Sequence, residues 1–478
     1  LLFYILFGLY FIHYFTDPQK DYHLIKALKY GLYLFVPCYF VSTVHSRRQL
    51  HAQETWILIM TVPLLIYSAF QHLGHDFFVY AGEFGKSTVH ATLGNSHFLG
   101  GFLVMFIYLV INRWLQAKHW LMKFLCALVL PFAVFLMVAS QSRGAMLLTG
   151  VAVFVWAGFV AISFWRRHWL WKAASVIWLI MAVTLPTLLV MSPRFSYTHP
   201  ARKVEMYLQR DQSLNNRLVL AMVALQMWSR NPWWGIGVDW YPIEFFPSLY
   251  EISSPPQSEM LRHLILYMES LQANETHNDL MQYLAEMGIP GFSLMLAILC
   301  LVFTGLLILV WRKERLTDSR DRRHCYCLLA ATLTALAQMI YSFPIHLPSN
   351  GLLVMYLMGC SGWLMKRYGL FELPPLPILS WKVSRVIAAA LLVAFCGWGI
   401  AQVMRQYEGH RWFYLGTIIQ HSLKNPKAAL TAFEKAQLLL PEYGEIPYQQ
   451  ALAYATLPGE QRKALSKLEQ AQRTYYHY

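Results

Sequence analysis

Apolar runs of about bilayer-crossing length, separated by short polar connections, dominate this chain. They fall near 1–15, 25–44, 55–73, 97–112, 121–139, 144–164, 173–191, 288–311, 326–346, 349–366 and 384–404. A helix needs roughly 17 to 25 residues to cross hydrocarbon, and a few of these runs are slightly short. The pattern predicts an all-α, polytopic membrane protein with about eleven transmembrane helices. Four parts follow: 1–191 with the first seven helices, a large loop over 192–287, 288–404 with the last four helices, and a tail over 405–478. Inside the loop, Ser213 or Asn215 can cap a helix reaching Met227 or so, with Leu214, Leu218, Ala221, Leu225 and Trp228 on one face. Asn231-Pro232 ends it, and Gly235 and Gly237 then permit a tight turn. The first run has no initiator Met and no basic flank, so a chain cut at its N-terminus is expected and a signal peptide stays an open question.

The tail has a different texture. "NPKAALTAFEKAQLLLP" at 425–441 is echoed by "RKALSKLEQAQRTYY" at 462–476, Ala429, Leu430, Glu434, Ala436 and Gln437 recurring at Ala464, Leu465, Glu469, Ala471 and Gln472. That offset resembles the period of tetratricopeptide repeats, about 34 residues, which stack helical hairpins into binding surfaces. A small helical-repeat tail is expected, serving either as a cap or as a surface for a protein partner.

Composition agrees with the membrane pattern, since 57% of residues are hydrophobic and only 13% charged. Charge then orients it. Arg47 and Arg48, then Arg113, Lys118 and Lys123, then Arg166, Arg167 and Lys172, then "WRKERLTDSRDRRH", then Lys366, Arg367, Lys382 and Arg385 occupy alternate connections. The positive-inside rule assigns those connections to the cytoplasm, and the 192–276 segment, His277 and the tail to the outer side. The net charge of +14 meets anionic membrane lipids and calls for no nucleic acid. Cys38, Cys126, Cys300, Cys360 and Cys396 lie within spans, and Cys325 and Cys327 at a cytoplasmic end, so no disulfide framework is expected. Without HExxH, a CxxC pair or an outer Asp-x-Asp, neither a metal nor a cofactor is expected.

Outer-side polar residues are therefore the candidates for chemistry. His277 opens "HNDLMQYLAEMGIPG" and can exchange a proton near neutral pH, or can simply be an interfacial polar residue. Asp279, two residues on, can orient that imidazole or cap the following helix, the cap being the simpler role. Arg143 in "SQSRGAM" is the one base of its connection and precedes Gly144, which suits an anion as well as a snorkelling anchor. Arg217 can face head groups from an amphipathic helix or face a site.

Read in order, "SQSRGAM", "NNRLVLAMVALQMWSRNPWWGIG" and "THNDLMQYLAEMGIPG" resemble the signature of the O-antigen ligase superfamily. Its members move a glycan from a polyprenyl diphosphate carrier to an acceptor. "ATLGNSHFLGGFL", at 91–103, resembles a further family stretch that commonly reads Gly-Asn-x-Asn, with His97 in place of the second Asn. The resemblance spans roughly 91 to 365. It implies a GT-C-like fold in the bacterial inner membrane, with the site and C-terminus periplasmic. It also implies that His277 is the catalytic base and that Arg143 and Arg217 bind the substrate diphosphate, with Asn95, Asn278 and Asp279 in support.

The implied reaction is inverting transfer, without a metal, from undecaprenyl diphosphate to lipid A-core, as in an O-antigen ligase. A protein O-oligosaccharyltransferase acting on Ser or Thr hydroxyls of periplasmic or pilin-like proteins is the close alternative, and an O-antigen polymerase the third. A transporter or flippase without catalysis would be expected to carry paired ionisable groups within its spans, and these are scarce.

Overall fold

The structure, a computed structural model, describes residues 5–6, 8–10, 12–13, 20–75, 89–93, 95–140, 142, 144–145, 148, 212–253, 275–312, 316–371, 382–441 and 443–475. These residues are helical, with no strand among them. They divide into two compact units, Leu1–Val79 with Glu83–Pro374, and Tyr80–Gly82 with Pro375–Tyr478.

The first unit contains α1 (Lys20–Thr43), α2 (Arg47–His72), α3 (Ser96–Gln116), α4 (Trp120–Ala139), α5 (Gln212–Arg230), α6 (Tyr241–Ser253), α7 (Asp279–Trp311), α8 (Ser319–Tyr341) and α9 (Pro348–Arg367). Five of these, α2, α3, α4, α7 and α8, are long and apolar enough to cross a bilayer. The chain is thus a multi-span helical membrane protein. The predicted spans at 144–164 and 173–191 lie outside the described residues apart from single positions, as does most of 1–15.

Short polar residues set the helix starts. Ser46 and Gln49 form a reciprocal capping box at α2, and Asp318 caps α8 by accepting from the Arg320 amide. The bundle is built around α3, which is buried without a break from Leu99 to Asn112 and packs against α4 and α8. A helix apolar all round is stable only with neighbours on every side. At one end of α3, Gln338 of α8 donates to the Gly101 carbonyl at 3.0 Å and Asn350 donates to the Phe98 carbonyl at 3.1 Å. At the other end, buried Glu54 of α2 accepts from Asn112 at 2.5 Å and lies 3.6 Å from His324, near the start of α8. Helices α3 and α8 therefore run antiparallel, and each end of the bundle is pinned by amide or carboxylate contacts.

Within the long loop, α5 and α6 form a helical hairpin tied by Arg230 to Glu244 and Glu251. The apolar face expected from spacing turns outward: Leu218 and Leu225 are exposed, while Val219, Leu220, Val223, Ala224 and Met227 are buried. The helix carries apolar residues on two faces, and Tyr241, Phe245 and Leu249 of α6 with Ala285 of α7 cover the second. The stretch after α5 lies along α7, Ile236 donating to the Ala285 carbonyl at 2.9 Å, Gly237 to Glu286 at 3.0 Å, and Ile289 in return to Pro232 at 2.9 Å. Helix α7 is broken at that point: Gly288 has φ +62°, a conformation in which a side chain is strained, and a Cβ there would collide with the Trp233 carbonyl.

The second unit comprises α10 (Lys382–His421), α11 (Pro426–Leu439), α12 (Glu445–Ala455) and α13 (Gln461–Tyr475). Phe413, Ala429, Phe433, Ala436 and Ile446 form its core. Helix α10 continues without interruption through residue 404, where the sequence pattern placed the end of the last span. The two echoing stretches fall on α11 and α13, with α12 between them.

Candidate functional site

The polar end of the bundle where α3 starts, α8 ends and α7 begins gathers most of the residues singled out in the sequence. His277 sits in the short turn ahead of α7 with φ +54°, a left-handed backbone that is uncommon for a residue with a side chain. The turn is closed by buried Thr276, whose hydroxyl donates to the Asn278 carbonyl at 2.6 Å and accepts from the Asn278 amide at 3.0 Å. Asn278 then caps α7, its side chain accepting from the Met281 amide at 3.1 Å. Strained backbone that its surroundings hold in place clusters at functional sites. Here it sets the imidazole edge-on against Phe343, ring centres 4.7 Å apart.

Arg217 reaches the same end from α5, its guanidinium 5.9 Å from the centre of the Tyr341 ring at the close of α8. Gly144 lies against that ring, where a Cβ would collide with it. Ser142 meets His97, Oγ to Nδ1 at 3.3 Å. Arg143 itself lies outside the described residues, but both of its chain neighbours flank this end of the bundle. Asn95 caps α3, accepting from the His97 amide at 2.8 Å, and so fixes where His97 projects.

The electrostatics follow from this convergence. Burial pushes the His277 imidazole down to about 4, and the charges of Arg217 and His97 push in the same direction. At neutral pH the ring is therefore uncharged.

Asp279 has another partner from the two considered in the sequence. The helix cap is Asn278, and the Asp279 carboxylate accepts from the Ile345 amide at 3.0 Å and holds His346 Nδ1 at 2.6 Å. Its own amide donates to the Ser342 carbonyl at 3.2 Å. The start of α7 is thereby clipped to the turn joining α8 and α9, which carries Phe343. Burial alone would lower His346, but Glu275, 3.8 Å away, and Asp279 outweigh it and raise the ring to about 9. The clip is a charged one, imidazolium on carboxylate, supported by Lys29 donating to the His346 carbonyl at 3.2 Å.

His346, Phe343 and Tyr341 were not singled out in the sequence. Their signal is a connection free of Lys and Arg, "YSFPIHLPSN", in which two aromatics precede a histidine that lies between two prolines. Among the described residues, no group of three or more His, Cys, Asp or Glu side chains is arranged to hold a metal ion.

Fold and site together define a multi-span helical membrane protein with a neutral histidine, His277, and an arginine, Arg217, gathered at one polar end of its bundle. Residues 128–296 match the model of the family described as O-antigen ligase. The matched stretch contains Arg143, Arg217 and His277, and stops short of both Asn95 and His346. No curated protein matches the chain.

Proposed function

We propose that the protein is an inverting glycosyltransferase of the bacterial inner membrane. It moves a glycan from undecaprenyl diphosphate to a hydroxyl of lipid A-core, using a periplasmic site and no protein-held metal. The observation that carries this reading is the pairing of a neutral His277 with the cation of Arg217 at one polar end of the bundle.

The chemistry is a direct displacement. His277 takes the proton of the acceptor hydroxyl as its oxygen forms a bond to the anomeric carbon. The bond from that carbon to the diphosphate oxygen breaks on the opposite face, inverting the configuration. The leaving diphosphate gains negative charge, and Arg217 with Arg143 stabilises it where it forms. A guanidinium suits this role because it stays charged and offers two parallel donors to phosphate oxygens. One well-placed donor contributes about 3 to 4 kcal/mol, and a positioned base roughly 100- to 10,000-fold. Asn278 and Asp279 support the reaction by setting the turn and the wall around His277.

A second acceptor class is favoured by the helix pairs of the second unit, whose Leu438, Leu465 and Leu468 are exposed apolar residues on a repeat-bearing surface. Exposed apolar side chains in a tetratricopeptide-like array suit protein recognition, which supports a protein O-oligosaccharyltransferase.

The test is a transfer assay in membranes with purified protein and a polyprenyl-diphosphate glycan, offering lipid A-core and a pilin-like protein as separate acceptors. Product on lipid A-core alone supports the ligase, and product on protein alone moves the assignment to the oligosaccharyltransferase. His277→Ala should abolish transfer while still binding donor. Full activity in that variant would remove the base from the proposal.

A further inference from the structure

A cleft of roughly 660 Å³ opens at the end of the bundle opposite the candidate site. Its walls are the start of α2, the end of α3, the α3–α4 turn and the start of α8. Since α3 rises about 1.5 Å per residue, its 21 residues put this cleft about 30 Å from His97.

The lining is strongly one-signed. Arg47, Arg48, Arg113, Lys118 and Arg320 all contribute, joined by His51 and His119, and among the described residues no carboxylate lines the cleft. Two of the cations have internal duties. Arg47 is paired with Asp318 and Asp321 at 2.6 Å each, and Arg113 donates to Thr55 at 2.9 Å. Arg320 also lies in the field of Asp318, and with Arg48 and Lys118 it adds positive charge from three separate helix ends, where like charges repel and a bound anion would offset them.

One wall is apolar instead. Trp56 and Ile59 line the cleft and are 59% and 43% exposed, and Met60 continues the same face of α2. On α4, which packs against α2, Trp120, Leu121, Phe124 and Leu128 are likewise exposed. A cationic mouth opening onto two apolar helix flanks, with tryptophans at the boundary, matches the amphipathic profile of a phospholipid.

The geometry points to a binding site for an acidic phospholipid, its phosphate held among Arg48, Lys118 and Arg320 and its acyl chains lying along the exposed flanks of α2 and α4. A soluble phosphate would satisfy the cations but leave the apolar wall unused. The site is independent of the chemistry proposed for the other end of the bundle.

The full-length protein in phosphatidylcholine nanodiscs supplies the test. Phosphatidylglycerol and cardiolipin with a photoactivatable acyl chain should crosslink residues 52–60 and 120–128, and phosphatidylcholine carrying the same group should label them at least tenfold less. Inorganic pyrophosphate at millimolar concentration should leave the labelling in place. An Arg48→Gln, Lys118→Gln, Arg320→Gln triple variant should lose at least tenfold in acidic-lipid binding by native mass spectrometry, whereas an Arg48→Lys, Arg320→Lys variant should retain it. Equal labelling by phosphatidylcholine overturns the proposal with wild-type protein alone. Complete displacement by pyrophosphate would make it a soluble-anion site and overturn the lipid assignment. Undiminished binding in the triple variant would also overturn it.

Discussion

His277 is kept neutral mainly by burial, and in part by a charge that the proposed donor would offset. Burial and the charges of Arg217 and His97 hold it at about 4, and a base that weak is a poor proton acceptor near neutral pH. A diphosphate lying on Arg217 offsets one of those charges, so the imidazole rises toward the working pH when the donor is bound. In pH profiles, the acid limb of kcat/KM, which reports the free protein, should lie near 4, and the limb of kcat should lie higher. A kcat limb at or below that of kcat/KM would contradict the coupling. His97→Asn removes one lowering charge and should move the kcat/KM limb upward with transfer retained. Arg217→Gln should cost roughly 100- to 1,000-fold in kcat, the usual loss for one oxyanion-stabilising donor, measured under saturating donor.

At the level of elements, the His346–Asp279 clip and the break in α7 decide where the base sits. His346 is raised in the folded protein, so its contribution to stability is fully present below about pH 6.5 and is lost as pH climbs through about 9. Thermal unfolding of the wild type in detergent should weaken across that window. His346→Gln should flatten the dependence. The break makes a different prediction. Gly288 and Gly369 both have positive φ, +62° and +64°, but Gly288 combines it with ψ −167°, a region open essentially to glycine alone, and a Cβ there also meets the Trp233 carbonyl, while one at 369 meets nothing within 4 Å. Gly369→Ala should cost about 1 to 2 kcal/mol, the left-handed penalty alone. Gly288→Ala should cost clearly more, and equal losses would mean that the strap of 231–237 contributes little.

These elements also mark what can be read from a sequence of this kind. The spans of α2, α3, α4, α7 and α8 stand out because a bilayer imposes a length of its own on each run. The order of the Arg143, Arg217 and His277 stretches was legible as a resemblance, and residues 128–296 match that family. What stayed hidden depends on partners distant in the chain. Asp279 and His346 are 67 residues apart, so no local pattern joins them. The buried face of α5 is chosen by α6 and Ala285, because the helix has apolar residues on two sides. Asn278 and Asp279 are both good caps by type, and only the φ of His277 and the Thr276 turn decide between them.

For the molecule as a whole, the proposed orientation puts the candidate site outside the cytoplasm and the basic cleft within it. Alkaline phosphatase fused after residue 240 or 440 should be active, and a fluorescent protein fused at 317 should mature. The reverse pattern would place the catalytic end in the cytoplasm and remove the periplasmic donor. The hydrogen bonds between 232–237 and 285–289 carry one more implication. They fasten the helix bearing Arg217 to the helix led by His277, so under the proposed mechanism the phosphate holder and the proton acceptor should move together. Room for a bulky glycan to enter and leave must then come from the facing side, where His97 meets Ser142 through one 3.3 Å contact. Spin labels at positions 226 and 297 should keep a single narrow distance throughout turnover, while a pair at 97 and 226 should broaden.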